Sequence, residues 1–256
     1  MTTEDLKIHI VGAGVSGLVA AKILEDYGFS PCIIEATDRP GGRVKTDVVN
    51  GYQLDHGFQV LLTEYPAAQK YLDFDALELQ EFKSGAAIFI NGKQKIIGDP
   101  LRDLSVLFST IFSGIGNLSD KVKILRLTNR LKKKSLEEIF KTKEITTKEY
   151  LVNFGFSSQM ITSFFQPFFT GIFLETDLET SSRMFEFVFK MFGEGLAVLP
   201  KGGIEEIPKQ LTNNLKRTSF LFNTKVTSIS NQEIKLSTGE KLTSDAIIIT
   251  TDTNKL

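Results

Sequence analysis

Two kinds of apolar spacing alternate along the first sixty residues. Lys7 to Val11 is a short apolar run that ends in glycines, the pattern of a buried strand. Val15, Leu18, Val19, Ile23 and Leu24 then recur at helical spacing. They predict a helix over Val15 to Tyr27 with those side chains on one face. Gly28 stops it, because a glycine tolerates the positive φ that ends a helix. Pro31 to Glu35 is a second apolar run and reads as a strand. Strand, helix and strand in such short order predict a parallel pair joined by a right-handed crossover.

From about Ala67 to Glu194 the pattern changes. Ala86 to Ile90 and Gln94 to Ile97 read as a hairpin through Asn91-Gly92, a dipeptide suited to positive φ at both turn positions. Helical spacing follows at Leu101 to Phe112, Ser119 to Lys132, Thr147 to Asn153, Ser157 to Phe165 and Ser181 to Phe192. From about Gly195 onward α/β patterning returns. A helix over Ile204 to Leu215 opens after Gly202-Gly203, and strands read at Ser219 to Phe222, Lys225 to Ile229, Glu233 to Ser237 and Ala246 to Thr250. The expected fold class is α/β. A Rossmann-like nucleotide-binding domain with a parallel sheet (1–66 and 195–256) is interrupted by a mostly helical domain with a β-hairpin (67–194).

Composition narrows the function classes. Thirty basic and 31 acidic residues leave a net charge of −1, which offers no reason to expect a nucleic-acid partner. The local basic cluster Arg130, Lys132, Lys133 and Lys134 reads as a solvated helix end or as a patch for an anionic lipid or substrate. A single cysteine, Cys32, excludes an intrachain disulfide and a redox-active dithiol, and points to a reducing compartment. With two histidines besides, there are too few ligands for a structural zinc site, so no metal is expected. The start, Met1-Thr2-Thr3-Glu4-Asp5, lacks the basic and apolar parts of a signal peptide, and no apolar stretch reaches the ~18 residues of a membrane span. A cytoplasmic location is expected, with peripheral membrane association as a variant of it.

The chemistry concentrates near the N-terminus. Gly12-Ala13-Gly14-Val15-Ser16-Gly17 is a G-x-G-x-x-G turn between a strand and a helix. Its first glycine allows the tight turn, its second lets a pyrophosphate approach, and its third allows close packing of helix on strand. Free N–H groups and the helix dipole favour the phosphates there. Glu35 closes the second strand where an acid hydrogen-bonds a ribose hydroxyl, and an acid there disfavours a 2′-phosphate. The run Arg39-Pro40-Gly41-Gly42-Arg43-Val44-Lys45-Thr46 adds paired glycines for backbone approach and two arginines that can donate to phosphate oxygens.

With G-x-G-x-x-G, Glu35 and R-x-G-G-R-x-x-T in place, the chain resembles the FAD-binding start of the amine oxidase, phytoene desaturase and protoporphyrinogen oxidase superfamily. The resemblance extends to Asp55-His56-Gly57-Phe58-Gln59, which matches a stretch near the flavin. It extends to Leu199-Pro200-Lys201-Gly202-Gly203-Ile204, and to Lys225 to Ile229, where a valine, here Val226, contacts adenine through its backbone. The strand Asp245 to Thr251 resembles the one that returns to the cofactor. The resemblance implies FAD as cofactor. It implies contacts from Gly12, Ala13, Gly14, Val15, Ser16, Gly17, Glu35, Ala36, Arg39, Gly41, Gly42, Arg43, Asp55, His56, Gly57, Phe58, Val226 and Thr250. It also implies a truncated chain, since the family's closing glycine-aspartate segment and part of its substrate domain would lie beyond Leu256.

Two residue types remain. His56 is a candidate for proton transfer near the flavin ring or else a structural hydrogen-bonder; His9 and Cys32 read as core residues. Phe164, Phe165, Phe168, Phe169, Phe173, Phe185, Phe187, Phe189 and Phe192 read as an aromatic core or as a greasy tunnel for a lipophilic small-molecule substrate. The expected function is an FAD-dependent oxidoreductase that takes hydride from an apolar, desaturase-like or isoprenoid-type substrate, with an amine or protoporphyrinogen-type oxidase as the alternative. A non-catalytic protein of this fold, like the Rab GDP-dissociation inhibitors, is the reading from another class; Glu35 and the Arg39 to Arg43 run argue against it.

Overall fold

The computed structural model describes residues 6–57, 60–83, 85–90, 92–98 and 116–252. The helix expected over Leu101 to Phe112 lies outside them, as do Asn91 and Phe58. The chain divides into two compact units. The first is Met1–Val60, Pro66–Gln80 and Leu199–Leu256, and the second is Leu61–Tyr65 and Glu81–Val198. The segment Pro66–Gln80, which the sequence pattern grouped with the helices, clusters with the first unit. One tie there is reciprocal: the Asp73 backbone N–H donates to Gln210 Oε1 at 2.9 Å, and Gln210 Nε2 donates to the Asp73 carbonyl at 2.9 Å.

In chain order the strands of the first unit that matter here are β1 (Ile8–Val11), β2 (Cys32–Ile34), β3 (Thr46–Val49) and β4 (Tyr52–Asp55), and then β5 (Ser219–Leu221), β6 (Val226–Ser230), β7 (Glu233–Leu236), β8 (Lys241–Thr243) and β9 (Ala246–Ile249). Helix α1 (Val15–Asp26) joins β1 to β2. The central sheet is parallel throughout, in the order β5-β2-β1-β9. Ile8 pairs with Ala246 and His9 with Cys32, which places the first and last apolar runs of the unit side by side. This is the α/β class expected. Ile10, Ile33 and Ile34 are essentially without exposure, as strands covered on both faces require. Antiparallel strands β6, β7 and β8 pack on this sheet through Val226, Ile234 and Leu236, which cluster with Val11 and Ile34.

Three local differences from the sequence pattern have physical causes. The buried residues of α1 are Gly17, Leu18 and Ala21, whereas Ile23 is exposed. Small residues let the helix approach, so burial follows them rather than the bulkiest side chains. Cys32 is half-buried rather than a core residue. The hairpin β3–β4 had not been expected, yet its turn is Asn50-Gly51, with φ of 52° and 83°. That is the dipeptide that marks two-residue hairpins; the exposed Tyr52 and Leu54 hid the strand pattern. His9 is half-buried, and its Nδ1 lies 2.9 Å from Ser244 Oγ. Burial, then the Lys7 charge, push its pKa down, so the ring is neutral at neutral pH.

The second unit contains the expected hairpin, Gly85–Ile90 with Lys93–Gly98, and a set of helices. Helix Leu118–Lys132 starts with a capping box between Asn117 and Asp120, and helix Leu136–Lys141 with one between Ser135 and Glu138. The core holds Leu127, Leu131, Leu151, Phe165, Phe169 and Phe185, all with 0–1% exposure. The phenylalanines pack on one another: Phe165 and Phe185 lie 6.0 Å apart edge to face, and Phe169 and Phe185 lie 4.8 Å apart. Their contacts with other core side chains match the aromatic-core reading.

Candidate functional site

The head of α1 is the centre of the site. Gly14 is its cap residue, with φ of −68°; no side chain caps this end and no acid stands in the first turn. The first N–H groups of a helix have no partner within it, and the dipole is positive there. A β-carbon built on Gly14 would meet nothing within 4 Å, so the space beside the helix end is open. Gly17 is the opposite case. A β-carbon there would sit 2.1 Å from the Gly12 carbonyl oxygen, so only glycine lets the helix rest on the turn.

The second glycine loop lies against the first. Gly41 N–H donates to the Ala13 carbonyl at 2.9 Å, and Gly14 and Gly41 form a parallel bridge. Glu35, buried, links the two levels. Its Oε2 accepts from the Ala13 N–H at 2.8 Å, and its Oε1 accepts from Thr37 N–H at 2.9 Å and Thr37 Oγ1 at 2.8 Å. A carboxylate oxygen accepts about two hydrogen bonds, which leaves an acceptor position on Oε2. Thr37 had not been identified from the sequence; it also accepts from the buried Lys45 Nζ at 3.1 Å. Ala36 is exposed beside it.

Arg39 stands differently from the expectation. Its Nη2 donates to Asp47 Oδ1 at 2.6 Å, and its Nε lies 2.9 Å from Glu205 Oε1, an ion pair without hydrogen-bond alignment. The Asp47 hydrogen bond and the Glu205 charge hold its pKa above the usual guanidinium value. Arg39 is thus occupied by carboxylates of its own chain, and it anchors the loop on which Gly41, Gly42 and Arg43 stand. Glu205 was not found from sequence; it also accepts from Thr46 N–H at 3.3 Å, while Glu205 N–H donates to Thr46 Oγ1 at 3.0 Å.

Asp55 joins the same network. Its Oδ1 accepts from Thr46 Oγ1 at 2.6 Å and from Ile204 N–H at 3.1 Å. His56 Nε2 lies 2.7 Å from Asp47 Oδ2 and its backbone N–H donates to the Lys45 carbonyl at 2.9 Å. Hydrogen bonds from His56, then from Arg39, hold the Asp47 carboxyl below its usual range. Gly57 is exposed at the next position. Thr250 Oγ1 faces the carbonyls of Val11 at 3.0 Å and Gly12 at 3.1 Å. Its hydroxyl pins the first turn, a role spent on the protein itself. Val226 is a core residue beside this turn, packed with Ile34. Among the described residues no cluster of histidine, cysteine or acids could hold a metal ion.

Comparison with known proteins places the chain in a family. A family model described as flavin-containing amine oxidoreductase matches residues 15–256, beginning one residue after Gly14. An L-amino-acid oxidase of Bothrops moojeni is 31% identical over 163 residues, covering 58% of this chain and 32% of its own length. The L-amino-acid oxidase of Protobothrops flavoviridis is 26% identical over 269 residues, covering 98% of this chain and 51% of its own. The chain therefore spans between a third and a half of the length of these curated relatives. Among solved structures, putrescine oxidase bound to putrescine superposes with a TM-score of 0.67 at 20% identity, covering 97% of this chain and 58% of that one. An oxidoreductase of Methanosarcina mazei gives a TM-score of 0.67 at 19% identity, covering 95% and 58%. Identities this low show the fold alone. The family match leaves only residues 1–14 outside it, and the chain belongs to the flavin-containing amine oxidoreductases.

Proposed function

We propose that this chain holds the adenosine and pyrophosphate part of FAD and serves an oxidoreductase that takes hydride from a carbon centre of its substrate. The observation that carries the reading is the open space at Gly14, bounded by the uncapped head of α1, the buried Glu35 and the Gly41-Gly42 loop. These residues fit a dinucleotide. The N–H groups of the helix end would take the pyrophosphate, with Arg43 beside them as a further donor. Glu35 would take a ribose hydroxyl through its remaining acceptor position. Val226 stands at the family's adenine position. Arg39, Asp47, Glu205, Thr46 and Asp55 hold the second loop in place and act through it.

Bound FAD supplies the hydride acceptor. The residues of this chain bind and orient; among the described residues none forms a nucleophile-base pair of its own. The contact of His56 Nε2 with Asp47 Oδ2 at 2.7 Å orients the ring beside the second loop. An amine substrate has the better support, since the L-amino-acid oxidases and putrescine oxidase are what the chain is similar to. The apolar, desaturase-like substrate rested on the phenylalanines, and the most buried of these are explained as core. A flavin-free binding role has no use for an open phosphate cradle with its acid intact.

The test is loading. The full chain, purified with added FAD, should show flavin absorbance near roughly 370 and 450 nm. Gly14→Val should remove that absorbance while the circular dichroism spectrum stays unchanged, because the side chain enters the open space. Retention of FAD by this variant would refute the phosphate assignment.

A further inference from the structure

We propose that the outer face of the helix Leu118–Lys132 is a docking surface for an anionic lipid bilayer. Leu127 and Leu131 turn into the core of the second unit with 0% and 1% exposure. On the opposite side Leu118, Val122 and Leu125, spaced by four and three residues, are 71%, 60% and 46% exposed. Three aliphatic side chains in one stripe on a helix already packed by its other face have no role in that core.

The exposed charge on this helix has one sign. The single acid of the helix, Asp120, is buried and accepts from Asn117 N–H at 2.9 Å and from Ser157 Oγ and N–H at 2.6 and 2.9 Å. Arg126, Arg130, Lys132 and, after the helix, Lys133 are exposed. Arg126 and Arg130 stand one turn apart, where like charges repel. Among the described residues neither has a hydrogen bond or an ion pair. With Asn153 and Phe154 they line a recess of about 270 Å³ that is open to solvent. A phosphate group between the two guanidinium groups would relieve their repulsion, and the aliphatic stripe would enter the acyl boundary beside it. That pairing of apolar stripe and flanking cations is how an interfacial helix lies on an anionic membrane.

Other occupants fit less well. A second copy meeting this face across a two-fold axis would set arginine against arginine and lysine. A nucleic acid would find cations but no aromatic ring within the helix to stack on, and a net charge of −1 overall. Among the described residues no helix is long and apolar enough to cross a membrane.

Sedimentation with vesicles tests the proposal on the full chain, loaded with FAD. Binding is expected to vesicles of phosphatidylcholine mixed with phosphatidylglycerol and not to phosphatidylcholine alone. Arg126→Gln with Arg130→Gln should weaken partitioning roughly thirtyfold, about fivefold per cation. Val122→Asn with Leu125→Asn should weaken the binding that persists at high salt. Both pairs are surface changes, and an unchanged melting temperature verifies the fold. Failure of the parent chain to bind the mixed vesicles would overturn the proposal, as would equal binding by the arginine variant. Self-association that Val122→Asn abolishes would assign the face to a second copy and overturn it as well.

Discussion

Two glycines of the chain's first turn, Gly14 and Gly17, illustrate how much single positions differ. At Gly17 an added methyl group meets a backbone carbonyl 2.1 Å away. Gly17→Ala should cost about 3 kcal/mol, the scale of overpacking against a part that cannot yield, read from the denaturant midpoint. At Gly14 the same methyl group meets open space, and Gly14→Ala should cost less than about 1 kcal/mol, the difference between glycine and alanine as a cap residue. A large loss at Gly14, or none at Gly17, would show that the helix begins elsewhere. Spacing alone made the glycines and Glu35 legible, since each acts within one strand-helix-strand unit. Arg39 was legible as a residue, but its carboxylate partners were not. Its partner Glu205 lies far along the chain, and no local pattern announces which carboxylates a guanidinium will meet.

Elements are joined by similar contacts that periodicity does not reveal. Glu25, near the end of α1, accepts from the backbone N–H groups of Lys216, Arg217 and Thr218 and from Thr218 Oγ1, at 2.7 to 3.0 Å. Burial alone would push its pKa up, but these donors outweigh that and hold it below the usual glutamate value. A lowered folded pKa gives stability that is complete above the unfolded value, ~4.3, and lost as pH falls through the folded one. Glu25→Gln should therefore cost about 1–2 kcal/mol at pH 7 and flatten the loss of stability on acidification below about pH 4.3. Chemical denaturation at a series of pH values measures both. In the second unit Glu186, 2% exposed, accepts from Tyr150 Oη at 2.9 Å and pairs with Lys134 Nζ. Burial, then the Glu186 charge, push the Tyr150 phenol up, so it stays a donor. Lys134→Met would leave a buried charge without its partner and should cost about 3–5 kcal/mol. Adding Glu186→Gln should restore a large part of that, a coupling that a double-mutant cycle would detect.

At the scale of the molecule the test is linkage. A ligand that binds only the folded state at a hundred times its dissociation constant stabilises by about 2.7 kcal/mol. FAD should raise the melting temperature of the parent chain in proportion to the logarithm of its concentration, and leave that of Gly14→Val unchanged. A parallel shift in both would mean that FAD binds away from the head of α1.

The sequence by itself determined the strand-helix-strand unit, the return of α/β patterning after a helical insert, and the dinucleotide turn with its acid. Each depends on contacts between near neighbours, where side-chain period and glycine geometry are read directly. Only the tertiary structure decided that Arg39 holds a loop, that Thr250 pins the first turn, that α1 buries Ala21 and exposes Ile23, and that the phenylalanines close on one another. Those outcomes turn on which distant groups meet, and burial and pairing at a distance leave no period in the chain.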